Sequence, residues 1–172
     1  MVWGRKQKPE QPAEAATSAA VEIEASAADA ALRDSLGLYH LWYLERRLQE
    51  ELVRAPRNNS YFSLATWRLR MLPGETPSPE LFARAASLIS NRLRSYDIYA
   101  RIDENRLIAI LYDADFQAAS TVAFRIKADM QVGIASSGRW QAGVATFPAD
   151  GVDSESLINA ASRRLEEDAR AA

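Results

Sequence analysis

A chain of 172 residues, 48% hydrophobic and 26% charged, has the composition of one soluble globular domain with room for a tail. Its formal net charge of -2 provides no basic field for nucleic acid, and the absence of cysteine excludes disulfides and thiolate chemistry. A single histidine excludes a multi-histidine metal centre, no apolar run approaches the ~20 residues that span a bilayer, and we expect a cytoplasmic protein.

The first 30 residues are predicted to form a tail. They are rich in Ala, Glu, Pro and Ser and contain few large apolar side chains. Such a segment cannot bury enough apolar surface to offset the entropy of folding. The sequence therefore predicts a disordered or partly helical tail over residues 1–30 and a folded domain over residues 31–172.

The folded part is expected to open with a helix that starts at Leu32 and stops at Pro56. Large apolar residues recur there at helical spacing, and proline is a poor residue for a helix interior. The residues that carry this spacing are Leu32, Leu36, Tyr39, Trp42 or Tyr43, Leu48 and Leu52.

A strand is predicted from Tyr61 to Leu72 because apolar and polar residues alternate there. The polar positions are Thr66, Arg68 and Arg70, and the apolar ones are Ala65, Trp67, Leu69 and Met71. The proline-rich stretch that follows, residues 73–79, predicts a rigid turn.

The next predicted element is a helix over Pro79–Leu93, which has an apolar stripe and a favourable Pro-Glu first turn. Arg94 and Asp97 follow directly at its end. By itself, an Arg and an Asp at this spacing indicate no more than an exposed ion pair, which contributes little stability.

Residues 107–111, Leu-Ile-Ala-Ile-Leu, form a short unbroken apolar run with β-branched residues. Such a run is typical of a central strand buried on both faces. The polar bend at residues 103–106 comes just before it, and Arg94, Asp97 and Arg101 precede the bend. A polar turn between two buried strands is a place where a fold can hold a rigid site.

The remaining chain predicts a helix, a hairpin and a last helix. Asp113-Ala-Asp115 opens the first helix, with Phe116 on its buried side. The hairpin is expected to consist of a short strand over Met130–Ile134, a turn over Ser136–Arg139 and a returning strand over Trp140–Phe147. The last helix is predicted from Ser154 to about Ala169, capped by Ser154 and Glu155.

Three stretches carry a resemblance to a known family. Arg94, Asp97, Ala100 and Arg101 fit, without a gap, the frame R-x-x-D-x-x-A-R that precedes the signature of the GGDEF (diguanylate cyclase) family. Residues 143–151 resemble its S-I-G-V-A-x-x-P-x-D-G segment, and residues 37–44 resemble its G-L-x-N-R-x-x-L segment. The resemblance implies an α+β fold, with a central, mainly antiparallel sheet flanked by helices in the palm-like, nucleotidyl cyclase-like arrangement.

The same resemblance implies that the catalytic site is degenerate. Where the signature letters are expected, the chain has Asp103, Glu104, Asn105, Arg106 and Leu107. Arg68 and Arg70 stand where active members carry the aspartates of a magnesium site, and Asn105 stands at the hairpin ligand. Residues 73–79 replace the family's guanine-reading segment. Magnesium requires hard oxygen ligands, so we expect no catalysis, no metal and no cofactor.

A ligand site is also implied. In the family, R-x-x-D before the signature binds cyclic di-GMP, and ungapped counting adds an arginine of the next helix. The corresponding residues are Arg94, Asp97, Arg101 and Arg125. The expected function is a non-catalytic cyclic di-GMP receptor whose dimerisation depends on ligand. Two alternatives stay open: a scaffold that binds only a protein partner, and a surviving enzyme.

Overall fold

The computed structural model describes residues 30–133 and 138–171, so the predicted tail lies almost wholly outside the described residues. The elements below belong to the unit Arg33–Ala172. In the described part of the chain, no helix combines the length and the apolar character needed to cross a membrane.

Four helices and four strands follow one another within the described residues. In chain order they are α1 (Leu41–Asn58), β1 (Phe62–Met71), α2 (Pro79–Arg92), β2 (Ile98–Arg101), β3 (Arg106–Tyr112), α3 (Phe116–Gly133), β4 (Gly138–Phe147) and α4 (Ser154–Arg170). The strands form one sheet in the order β2-β3-β1-β4, and every neighbouring pair is antiparallel. The predicted α+β fold with a central antiparallel sheet is confirmed.

One face of the sheet packs against α2 and α3. Trp67 is the largest fully buried side chain of β1, and its indole N–H donates to the carbonyl of Ala123 in α3 over 2.9 Å. Phe82 and Ile89 of α2 belong to the same apolar cluster. Full burial of such side chains stabilises the fold by about 1.5–3 kcal/mol each, so this face anchors the sheet.

The other face packs against α1 and α4. Helix α4 lies directly over Gly143 of β4, because a Cβ placed there would sit 2.1 Å from the carbonyl oxygen of Ala161. Only glycine permits so close an approach. The contact fixes where α4 crosses the sheet, and therefore which α4 residues reach the end of β1.

Several sequence predictions are confirmed. Strand β3 lies between β2 and β1 and is buried on both faces, as its apolar run predicted. The predicted strand Tyr61–Leu72 is one residue shorter at each end, and the helix predicted over Pro79–Leu93 ends one residue earlier. The returning strand also forms, but it pairs with β1.

The predicted strand over Met130–Ile134 is wrong for the part that the structure describes. Residues 130–133 form the last turn of α3, where Met130 is fully buried. Apolar residues at every second position, Met130, Val132 and Ile134, fit a strand. Met130 also continues the buried α3 stripe of Ala119, Ala123 and Ile126, and the helix forms. Of the predicted hairpin turn, residues 136 and 137 lie outside the described residues, and Arg139 is in β4.

The ends of three helices also differ from the prediction. Helix α1 begins at Leu41, because the Asp34 carboxylate accepts the N–H groups of Leu36 and Leu38 and holds a turn instead. It continues through Pro56 to Asn58. Phe116, predicted on the buried side of α3, is 46% exposed. Helix α4 is capped by Asp153 together with Ser156, and not by the predicted Ser154 and Glu155.

Candidate functional site

The turn between β2 and β3 contains the five signature positions, and Asp103 organises it. One carboxylate oxygen accepts the Asn105 N–H at 3.0 Å, and the other accepts the Arg106 Nε at 2.6 Å. Partial burial acts to raise the pKa of Asp103, but these hydrogen bonds outweigh it and hold the pKa below its ordinary value. The carboxylate therefore stabilises the turn through these two hydrogen bonds.

Asn105 connects this turn to the end of β1. Its carbonyl accepts the N–H of Leu69 at 2.9 Å, so the tip of the turn lies beside the two β1 arginines. A cavity of about 520 Å³ opens there, lined by Arg68, Arg70, Glu104 and Asn105 together with residues 75–77. The structure thus gathers the positions where the family resemblance expects its metal ligands.

Arg68 is held by neighbours on both sides. Its Nε and one terminal nitrogen donate to Oε1 of Gln141 at 2.9 and 2.6 Å, and the other terminal nitrogen pairs with Glu166 at 2.6 Å. This guanidinium lowers the pKa of Glu166. Within residues 30–133 and 138–171, Arg70 makes no ion pair, and no three acidic or histidine side chains cluster to hold a metal ion.

The Arg94–Asp97 turn closes the end of α2. Asp97 is only 4% exposed, and its carboxylate oxygens accept the N–H of Arg94 at 2.9 Å and the N–H of Tyr112 at 3.3 Å. Burial raises the pKa of Asp97 more than these hydrogen bonds lower it. The Arg94 side chain is exposed and donates to the Tyr96 hydroxyl at 2.8 Å.

The other two predicted ligand residues lie apart from this turn. The Arg101 guanidinium covers the Phe82 ring at 4.4 Å and donates to the Asp103 carbonyl, so it belongs to the signature turn. Arg125 is exposed on α3. In the described part of the chain, no hydrogen bond or ion pair joins Arg101 or Arg125 to the Arg94–Asp97 turn.

Sequence reasoning named Arg106 only as part of the signature turn, and it missed the other residues that surround Arg68. Gln141 lies directly opposite Arg68 in the β1–β4 register, and Arg106 lies opposite it in the β1–β3 register. Three polar residues of α4 line a cavity together with Arg68: Asn159, Ser162 and Arg163. Their spacing of three and four residues was a signal in the sequence, since it marks one helix face.

Comparison with known proteins gives a consistent family assignment. Residues 31–171 match the family model described as diguanylate cyclase, GGDEF domain. Among curated proteins, none matches the chain.

Several solved GGDEF structures share the fold. Diguanylate cyclase SiaD from Pseudomonas aeruginosa, solved with its activator SiaC, is 21% identical with a TM-score of 0.76; the match covers 92% of this chain and 66% of that one. A sensory box/GGDEF family protein from Caulobacter crescentus is 19% identical, with a TM-score of 0.69 and coverages of 82% and 99%. The GGDEF domain of DgcB from Caulobacter crescentus, solved with c-di-GMP, is 15% identical, with a TM-score of 0.70 and coverages of 82% and 89%. The family match extends over most of the chain, and the chain therefore belongs to the GGDEF family.

Proposed function

We propose that this GGDEF domain does not cyclise GTP and acts as a receptor for cyclic di-GMP. Its loss of catalysis rests on the end of β1, where Arg68 and Arg70 occupy the positions of the expected carboxylates. Magnesium is bound by hard anionic oxygens, and two guanidinium groups repel it. Without the metal, nothing shields the triphosphate or activates the attacking hydroxyl.

Incubation with GTP and magnesium or manganese tests the catalytic half of the proposal. We expect no cyclic di-GMP above a no-protein control, with diguanylate cyclase SiaD and its activator as the positive control. Product well above the background would show that the domain is a surviving enzyme.

The receptor half rests on one observation: Arg94 presents an exposed guanidinium from a turn whose backbone is fixed. A guanidinium fork matches the paired O6 and N7 acceptors of guanine. Asp97 holds the Arg94 N–H and links it to β3 through Tyr112. We therefore assign the Arg94 side chain to contact the guanine. Asp97 positions Arg94 by accepting its backbone N–H.

Arg101 and Arg125 complete the proposed receptor. We assign Arg101 to a phosphodiester group of the ligand, because charge-assisted contacts to phosphate are strong. Arg125 is exposed, so it is available to a ligand carried by a second copy of the chain. The receptor would then form a homodimer that depends on ligand, in the cytoplasm.

Calorimetric titration with cyclic di-GMP tests the receptor. Arg94→Ala is expected to weaken binding by roughly tenfold to a hundredfold, which corresponds to the ~1.5–3 kcal/mol of a hydrogen bond to a charged group. Its thermal midpoint should stay near that of the wild type, because the side chain is exposed. Arg125→Ala should mainly reduce ligand-induced dimerisation in light scattering, and the exposed Arg57→Ala serves as the matched control.

A scaffold that binds a protein and no nucleotide is the second candidate. It is favoured by the burial of Asp97, since both of its oxygens already accept backbone N–H groups. If wild-type protein shows no binding at high micromolar cyclic di-GMP, the receptor proposal fails and the scaffold replaces it.

A further inference from the structure

The turn that joins α2 to β2 carries an exposed tyrosine that has neighbours on two sides. Tyr96 is 51% exposed, and its hydroxyl accepts a hydrogen bond from Nη1 of Arg94 at 2.8 Å. Its ring centroid lies 6.5 Å from that of Tyr112, which is only 7% exposed. An exposed ring that already has such contacts loses less side-chain freedom when it binds a ligand.

The backbone of this turn is closed by two hydrogen bonds. The Asp97 N–H donates to the Arg94 carbonyl at 3.1 Å, and the Asp97 carboxylate accepts the Arg94 N–H at 2.9 Å. Tyr61, before β1, provides a contrast. It is 46% exposed, but it makes no hydrogen bond or ring contact with another residue of the described chain. Exposure alone therefore does not explain the contacts of Tyr96.

Tyr96 leaves most of the Arg94 guanidinium free. An arginine side chain has five N–H donors, and the Tyr96 hydroxyl takes one of them. Within residues 30–133 and 138–171, the Arg94 side chain makes no other hydrogen bond and no ion pair. Its Cζ atom is 5.7 Å from the centroid of the Tyr96 ring. A base that accepts hydrogen bonds from the free donors therefore comes next to an exposed aromatic ring.

We propose that Tyr96 is a specificity-determining residue, an inference that rests on the proposed cyclic di-GMP receptor. The hydroxyl orients the Arg94 guanidinium so that its free donors meet O6 and N7 of guanine, and the ring stacks on the base. Adenine carries an amino donor in place of O6, so an oriented guanidinium disfavours it. Stacking accepts either purine, because every base has a π-face. The hydroxyl thus sets the preference for guanine, and the ring sets the affinity for both purines.

Calorimetric titration of the full chain with cyclic di-GMP and with cyclic di-AMP separates these two roles. Tyr96→Phe keeps the ring and loses the hydroxyl, so it should weaken binding of cyclic di-GMP about threefold or more and leave that of cyclic di-AMP unchanged. Tyr96→Leu also loses the ring and should weaken binding of both ligands about tenfold. Tyr61→Leu is the matched control and should bind both ligands as the wild type does. All three thermal midpoints should stay near that of the wild type, because the side chains are exposed.

The outcomes distinguish this inference from the receptor on which it rests. If the wild type does not bind cyclic di-GMP, the receptor and the role of Tyr96 fall together. If the wild type binds and Tyr96→Phe keeps the same preference for guanine, the role of Tyr96 alone is overturned. Equal affinities of Tyr96→Leu and Tyr61→Leu for cyclic di-GMP would also overturn it and leave the receptor in place.

Discussion

Strand β1 carries polar side chains at both ends, and the two ends satisfy them in different ways. At the first end, the buried Ser63 hydroxyl donates to the Ala114 carbonyl at 2.8 Å and lies 2.7 Å from the Thr146 hydroxyl. At the other end, Arg68 donates to the buried Gln141 and pairs with the exposed Glu166, and Arg70 has no ion-pair partner in the described chain.

The difference separates polar groups that serve the fold from polar groups that remain available. A buried hydroxyl that loses its partner is costly, so the first end is closed and internally satisfied. Guanidinium groups at the second end stay partly exposed, and the Arg68–Glu166 pair contributes little stability because Glu166 is 52% exposed. The variants below test whether stability depends more on the closed end than on the open end.

Gly143→Ala is expected to have the largest effect, because it displaces the helix α4 that packs on one face of the sheet. Its Cβ would meet the Ala161 carbonyl at 2.1 Å and the Leu165 N–H nitrogen at 2.7 Å. Backbone cannot yield as a flexible side chain does, so the free energy of unfolding should fall by about 3 kcal/mol or more. Urea unfolding measures this, and Gly133→Ala, with nothing within 4 Å of its Cβ, is the control. Equal midpoints for the two variants would contradict the close approach of α4.

Asp150→Asn should weaken the closed end through its ion pair with Arg164. Asp150 accepts two guanidinium contacts at 2.6 and 2.7 Å and the Thr146 N–H at 2.8 Å. Arg164 is the main cause that lowers the pKa of Asp150 from its ordinary value of 3.8. The substitution should cost about 1.5 kcal/mol at pH 7, the lower limit for hydrogen bonds to a charged group.

The same pKa shift fixes the pH dependence of that loss. A carboxyl whose folded pKa is depressed stabilises the protein fully above the unfolded pKa, and this contribution disappears as the pH falls through the folded pKa. The difference between wild type and Asp150→Asn should therefore be constant near neutrality and shrink below about pH 4. Unfolding at a series of pH values measures it, with Glu155→Gln as an exposed control. A difference that grows in acid would contradict the assigned ion pair.

Ser63→Ala tests the buried hydroxyl pair directly. The Ala114 carbonyl loses its side-chain donor, and the Thr146 hydroxyl loses its neighbour, so we expect a loss of about 1–2 kcal/mol. Thermal unfolding is the measurement, and Ser87→Ala on an exposed helix face is the control. A change no larger than that of the control would mean that the closed end does not depend on this pair.

Arg70→Gln should have the smallest effect on stability. Its side chain is exposed and has no ion pair in the described chain, so the free energy of unfolding should change by no more than about 0.5 kcal/mol. Urea unfolding beside Ser63→Ala gives the comparison. A loss as large as that of Ser63→Ala would remove the distinction between the two ends.

Local sequence patterns predicted the elements whose burial is uniform along the chain. The apolar run at residues 107–111 predicted a central strand, and the stripe after Pro79 predicted α2, because burial on both faces or on one stripe leaves a regular spacing. The pattern failed at Met130, where a short alternating segment fits both the strand and the helix period. It also failed at Asp34, where one carboxylate replaces a helical turn with its own hydrogen bonds. The arginines at the end of β1 and the Arg94–Asp97 spacing were also visible in the sequence.

What only the tertiary structure decided is which distant residues share a surface. The strand order places Gln141 and Arg106 on opposite sides of Arg68, although they are separated from it by 73 and 38 residues along the chain. The close packing of α4 on Gly143 then places Arg163 on the Arg68 side of the sheet. The sequence alone also could not tell that Asp97 points into the protein rather than into solvent. Such pairings follow from register and packing between elements, which local periodicity does not encode.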